Sequence, residues 1–394
     1  MNKTLTSLRA AFFTMMVWVG ILVPRIPDLK DHFNLTIPQL SRIFMIVGIS
    51  GIFLSKLVSI TVAKFGSKRS IFFGLPLGLF AAACVALQIS IPIFSLGMVC
   101  FSFSGFLVNT AINTQANNFR SETGRDVMSQ LTAFANLGAL SGLAIGALLL
   151  KKMTTTEYIL SMQICVILSF VWLSRNLFHE DIVDPNSAEK LPWFHKKVIP
   201  LYLIIAALFA QGLAEWSVTD WGAILGRDEF FIKAPFYLAI NIFFQMGIIS
   251  SRFLLERATR NFGLRNFVFW NGLVTAIIWA FSIQLAKNSA GQTYLILMLV
   301  IVGFFIGGFG VGPFWPSFLS AATRVPFQLP AVFARVFSII SFSFVFGPGL
   351  IGQLSRNFGL TNAMLFAVAT MLLPSFIALK MLPGREEVTK KIQN

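Results

Sequence analysis

The sequence predicts an all-α membrane protein with 12 transmembrane helices in two six-helix bundles. The first observation behind this is composition: 56% of the residues are hydrophobic and only 12% charged, where a soluble globular chain carries about 25% charged residues. The second is that the apolar residues fall into runs near the length of about 20 that a helix needs to cross a hydrocarbon layer of about 30 Å. The third is that the longest polar interval, Arg175 to Lys197, sits almost at the middle of the chain and divides those runs evenly.

The first run, 8–27, follows Lys3 and Arg9 as the core of a signal peptide would. No small-residue cleavage site comes after it. It passes into Pro24-Arg25-Ile26-Pro27-Asp28, the end of a helix at an interface, so a retained first span is expected. Runs at 38–63, 70–90, 93–118, 128–150 and 157–175 complete one half, and runs at 199–223, 235–253, 267–286, 293–318, 333–354 and 362–381 make the other. No period-two alternation of about ten residues recurs, which argues against an outer-membrane barrel. The expected organisation is a bundle over 1–174, a cytoplasmic linker loop over 175–198 and a second bundle over 199–394 ending in a short cytoplasmic tail.

A net charge of +15 would suit nucleic acid only if the basic residues clustered on one water-exposed face. They lie instead in separate short loops. With both termini on one side, that side collects more than twice as many Lys and Arg as the other, the Lys151-Lys152 pair being the main exception. Cytoplasmic loops gather positive charge in this way, so the expectation is a multi-pass protein of the inner (plasma) membrane with both termini in the cytosol and no nucleic-acid partner. Cys84, Cys100 and Cys165 lie in apolar runs without CxxC spacing, and His32, His179 and His195 fall in or beside loops. Neither a metal cluster nor a catalytic triad has ligands to work with, no nucleophile elbow or phosphate loop is present, and no enzyme activity or cofactor is expected.

Polar residues inside spans are costly and usually face a bundle interior or a wet cavity. Gln211, Glu215 and Thr219 recur every fourth residue and share a face of the seventh span. Two readings of Glu215 stand side by side: a carboxylate for proton coupling or substrate binding, and a structural hydrogen bond to a neighbouring helix. Asn109, Asn113 and Asn117 make a similar stripe on the fourth span, and Asn241 with Gln245 a shorter one on the eighth; each suits either a polar solute or interhelical packing. Lys56 in the second span suits an intramembrane partner or snorkelling. Arg25, Asp28 and Asp220 near outer helix ends are candidates for a gate or plain interface charges. Trp216, Trp221 and Trp315 are candidates for stacking on a ring-shaped solute, with interface anchoring the other reading for Trp221. The glycines from Gly303 to Gly312 before Trp315 permit close helix approach or a bend.

Lys64-Phe65-Gly66-Ser67-Lys68 is repeated half a chain later as Asn261-Phe262-Gly263-Leu264-Arg265, a parallel repeat of the kind found in two-bundle transporters. Arg356-Asn357-Phe358-Gly359-Leu360 repeats Arg260 to Leu264 at a position this symmetry does not predict, and reads as a chance match. At these residues the chain resembles the major facilitator superfamily, whose loop pattern G-x-x-x-D-R-x-G-R-R is similar to Arg252-Phe253-Leu254-Leu255-Glu256-Arg257 followed by Phe262-Gly263-Leu264-Arg265. The first copy is degenerate, with Ala63 at the acidic position. The resemblance therefore implies a conformational latch only in the second half, involving Arg252, Glu256, Arg257 and Gly263.

A finer resemblance, to the fucose-permease-like branch of sugar and drug permeases, rests on Arg25-Ile26-Pro27, Asn113-Thr114-Gln115-Ala116, the stretch Glu215 to Ala223 and Gly347-Pro348-Gly349-Leu350-Ile351-Gly352. The fifth span has Gly138, Gly142 and Gly146 but lacks the Gly-Pro motif of drug-proton antiporters. The resemblance implies that the first, fourth, seventh and tenth helices line a central cavity. The function expected is a permease that moves a small polar, sugar-like solute by alternating access with proton coupling, embedded in the bilayer as a monomer. Its candidate solute contacts are Asn109, Asn113, Asn117, Gln211, Thr219, Asn241, Gln245 and Trp315. An efflux pump, or a receptor or scaffold that keeps the fold without transport, are the alternatives.

Overall fold

The computed structural model describes residues 2–123, 127–178, 192, 195–289, 291–327 and 329–384. Most of the expected linker, including His179, Asp181 and Lys190, and the tail beyond Gly384 lie outside the described residues, as does the side chain of Lys56. The chain divides into two compact units, Met1–Val183 and Asp184–Asn394. Among the described residues it is helical throughout, with no strand.

The first unit holds α1 (Asn2–Leu22, continued by the tighter turn Val23–Arg25 and by Ile26–His32), α2 (Ile37–Phe65), α3 (Ser67–Ala86), α4 (Ile91–Thr123), α5 (Met128–Leu149) and α6 (Thr155–Leu173). The second holds α7 (Ile199–Ile224, prolonged by the wider turn Leu225–Glu229), α8 (Ala239–Phe262), α9 (Leu264–Asn288), α10 (Thr293–Val311 and Phe314–Ala322), α11 (Leu329–Ile340 and Ser343–Phe358) and α12 (Leu360–Thr370 and Leu372–Met381). Among the described residues, ten of these runs are long and apolar enough to cross a membrane. The other two, α2 and α11, complete the twelve: α2 is apolar from Ile37 to Gly51 among the described residues, and α11 is interrupted between Ile340 and Ser343.

Helix ends follow backbone geometry more than hydropathy. α2, α8 and α11 each stop at a glycine with φ between 75° and 83° and ψ between 145° and 157°, a region open to almost nothing but glycine. The same glycine begins the next helix. In all three turns its N–H bonds back to the carbonyl four residues earlier, Val62, Thr259 or Ser355, and its own carbonyl accepts from the residue four positions on. The Phe358-Gly359 sequence, read as a chance match, is thus a third copy of the turn. Because Gly263 sets the stop, α8 runs well past the apolar stretch that ends at residue 253, and Arg252 lies in mid-helix, not in a loop.

Small residues set the tightest packing, as expected where lipid supplies no hydrophobic force between helices. In the first unit the seam joins α1 and α5: a side chain at Gly138 would strike the Phe13 carbonyl, and one at Gly142 would come within 2.7 Å of the Val17 carbonyl. In the second the seam joins α8 and α10, where a Cβ at Gly247 would strike the Phe305 carbonyl and one at Gly308 the Phe244 carbonyl. Trp279 of α9 closes over that seam, with its ring centre 5.5 Å from both Phe244 and Phe304.

Chain ends are tied down inside each unit. Gln115 of α4, fully buried, donates to Ser67 Oγ (2.7 Å) and the Phe178 carbonyl (2.9 Å), and accepts from the Phe178 N–H (2.8 Å). Lys68 donates to the Leu177 carbonyl at 3.4 Å. At the matching place in the second unit, the Arg265 N–H bonds the Pro383 carbonyl at 3.2 Å. Glu229 accepts from the Leu360 N–H (3.3 Å) and Thr361 Oγ1 (3.0 Å), capping α12 with a carboxylate at the end of the helix where negative charge is favourable.

Candidate functional site

Two carboxylates within the spans of the second unit, Glu215 and Asp220, lie on α7. This helix is buried along most of its length, and its half-buried positions include Glu215, Trp216, Thr219 and Asp220. Gln211, one turn before Glu215 and itself buried, donates a short hydrogen bond from Nε2 to Glu215 Oε2. Thr219 turns back to the Glu215 carbonyl at 2.9 Å, so its hydroxyl is held within the helix. The Glu215 carboxylate is thereby oriented by its own helix and keeps acceptor capacity for something else.

That something approaches from α8. Arg252 exerts its charge on Glu215, although among the described residues no ion pair within 4.0 Å joins them. At 1.5 Å per residue, both lie about 20 Å along their helices from the connection between α7 and α8, well inside a hydrocarbon layer of about 30 Å. Arg252 is fixed by its Nε, which donates to the Gly312 carbonyl at 3.2 Å.

The reason that carbonyl is available is covalent. Its usual intrahelical donor is the N–H of residue 316, and residue 316 is proline, which has none. Pro313 orphans the Phe309 carbonyl in the same way, and Asn271 of α9 answers it at 3.2 Å while also reaching the Gly310 carbonyl at 3.2 Å. The glycine and proline run of α10 therefore breaks that helix between Val311 and Phe314 and presents two carbonyls to polar side chains from its neighbours.

Other candidates take different places. Asn241 is buried and donates to the Val218 (2.9 Å) and Thr219 (3.0 Å) carbonyls, joining α8 to α7. Gln245 is half-buried one turn further along α8. Trp315 is half-buried just past the break in α10. Glu256 and Arg257 are exposed and form no ion pair among the described residues, while Gly263 makes the turn after α8. Asp220 is half-buried, with no hydrogen bond among the described residues. Trp221 corrects the reading as an interface anchor: it is fully buried and donates from Nε1 to the Pro348 carbonyl at 2.8 Å, pinning α11 to α7.

In the first unit, Asn113 donates to Asn109 Oδ1 (2.7 Å) and to the Asn109 carbonyl (2.8 Å), so these two amides satisfy each other along α4, and Asn117 is exposed. Arg25 corrects the expectation of an exposed interface charge. It is only 3% exposed, and its Nη1 donates to Asp28 (3.1 Å) and the Leu150 carbonyl (3.3 Å). Its Nη2 reaches the Leu149 (3.4 Å) and Met153 (2.8 Å) carbonyls, and the group lies 4.8 Å over the Tyr158 ring. Arg25 thus satisfies the last carbonyls of α5, groups a helix end leaves without partners.

Sequence reading missed Asn271 and gave two named residues, Arg252 and Gln115, a different place from the one they take. Arg252 was assigned to a loop, although counting one crossing back from Gly263 puts it in mid-span. Gln115 stood only within the Asn113 to Ala116 motif, and Asn271 was not singled out; the prolines four residues after Phe309 and Gly312 were the available sign that α10 would need donors from neighbouring helices.

A sequence model described as Major Facilitator Superfamily matches residues 10–307. An uncharacterized transporter, y4wD, of Sinorhizobium fredii is 23% identical over 379 residues, covering 90% of this chain and 93% of its own length. An uncharacterized MFS-type transporter of Yersinia pestis is 22% identical over 383 residues, with 92% and 93% coverage. Among solved structures, the nucleoside transporter NupG superposes with a TM-score of 0.72 at 14% identity, covering 97% of this chain and 99% of NupG. The human organic anion transporter MFSD10 does so at 0.65 and 10%, covering 96% and 99%. At these identities the structural matches establish a shared fold.

Proposed function

Because the chain belongs to the major facilitator superfamily, we propose that it is a secondary transporter that moves a small polar solute across the inner membrane by alternating access, driven by the proton gradient. Glu215 is the carboxylate that loads and releases the proton, Gln211 orients it, and Arg252 is the positive charge it answers to. The observation that carries this reading is the short hydrogen bond from Gln211 to Glu215 within a span, with Arg252 of α8 held by the Gly312 carbonyl in the same unit. A carboxylate so placed, with one fixed donor and a cation nearby but not bonded, changes its surroundings on gaining or losing a proton. Both termini lie in the cytosol, the side that holds most of the Lys and Arg. Asp28 and Asp220 belong to the outer gate in this reading, and Glu256, Arg257 and Gly263 to the inner one.

The test is uptake into liposomes holding the purified full chain, under an imposed proton gradient, with solutes chosen by thermal stabilisation. Wild type accumulates its solute against the solute's own gradient. Glu215→Gln folds and exchanges solute across the membrane but does not accumulate it. Undiminished accumulation by Glu215→Gln would remove the proton role, and absence of any flux in the wild type would favour a receptor with the same fold.

A further inference from the structure

We infer that the transported solute is an organic anion whose carboxylate or phosphate group docks on the terminal nitrogens of Arg252. The inference rests on the transporter reading and adds the chemical class of its solute. Nε of Arg252 is occupied by the Gly312 carbonyl. Its two terminal NH2 groups, with four N–H donors between them, make no hydrogen bond among the described residues, and neither nitrogen is a buried unsatisfied atom. They therefore open onto accessible space inside a span, where a cation without partners is expensive.

Arg25 shows what a purely structural arginine looks like in this same chain: both of its terminal nitrogens are bonded to carbonyls or a carboxylate, and Nε is the atom left over. Arg252 is wired the opposite way. The planar fork is anchored from behind and its two-pronged end is presented, the geometry that takes an oxyanion through paired hydrogen bonds. A neutral sugar or nucleoside would leave that charge unmatched.

Glu215 regulates the fork without filling it. Among the described residues, Arg252 is the charged side chain on the helices packed against α7 whose charge acts on Glu215; Arg335 of α11 is taken up by the Pro192 carbonyl at 2.6 Å. With Glu215 ionised, solute and carboxylate compete for one cation. With Glu215 protonated, the cation belongs to the solute, so anion and proton are bound together and travel in the same direction.

The probes are two matched pairs, gluconate with glucose and uridine monophosphate with uridine, measured as shifts in Tm of the detergent-purified full chain at constant ionic strength. The anionic member of at least one pair raises Tm where its neutral partner does not, and which pair responds separates carboxylate from phosphate. Arg252→Gln weakens that binding at least tenfold, Arg252→Lys less, and Glu215→Gln tightens it and removes its pH dependence. Where Arg252→Gln does not fold, phenylglyoxal labelling of Arg252 in the wild type, read by peptide mass spectrometry, replaces it: the anion protects and the neutral partner does not. Equal shifts within both pairs, no shift with either anion, or an anion preference that survives Arg252→Gln overturns the inference. Because binding is read without a gradient, its failure is distinct from a failure of Glu215→Gln to abolish accumulation.

Discussion

The two units share a plan of turns and differ in what they do with charge. Gly66 and Gly263 stand at the same place in each half and carry the same backbone geometry. The spacing that relates them places Trp18, almost wholly buried, where the second unit has Glu215. The tightest seam of the first unit is α1 on α5, locked by Arg25 at its end; that of the second is α8 on α10, with Arg252 reaching across it by one atom. One half uses its embedded arginine to close helix ends, the other to hold a cation open to visitors. The two units thus share their turns, and among the described residues the first closes its arginine onto carbonyls and a carboxylate while the second holds Arg252 by one bond.

The largest effect that could break this comparison is steric. Gly138→Val and Gly308→Val each place atoms on a backbone carbonyl across their seam and should destabilise by more than about 3 kcal/mol, seen as loss of the monodisperse, cooperatively melting species. Gly105→Ala, with nothing within 4 Å of the added carbon, should instead gain about 0.5 to 1 kcal/mol. If Gly308→Val melts like wild type, the α8–α10 seam does not hold the second unit together.

Next come the two arginines. Arg25→Met removes hydrogen bonds to one carboxylate and three carbonyls and should cost about 3 kcal/mol, whereas Arg252→Gln loses one bond and should cost about 1 kcal/mol. Equal losses of Tm would mean that the two side chains are used alike. Within the same range, Gly66→Ala, Gly263→Ala and Gly359→Ala should each cost between about 1 and 3 kcal/mol. Matched shifts in the three would sharpen the case for one turn built three times, and a harmless Gly359→Ala would separate it from the others. Glu229→Ala should cost about 1 kcal/mol as a lost cap, with Glu229→Gln below that, measured by the same melts.

Hydropathy made the helices legible because the demand for apolar length acts on every crossing, and the boundaries at 199, 293 and 381 agree closely with the helices found. It misjudged α8 because charge was taken as the end of a span, while the helix obeys Gly263. The Gln211 and Glu215 pairing was readable from i and i+4 spacing, a local rule. Arg252 meeting Glu215 was not, since that depends on how deeply α8 packs against its neighbours. The Asn109 and Asn113 stripe showed the limit of periodicity: the spacing that would offer two amides to a solute also lets them bond one another.

Pro316 has no functional group, yet it decides where Arg252 points. By withholding an N–H from Gly312 it leaves an acceptor on α10 that the arginine of another helix fills. Restoring that amide with Pro316→Ala would let α10 satisfy itself and release the guanidinium, altering ligand preference from a position that a search for chemically reactive side chains would pass over.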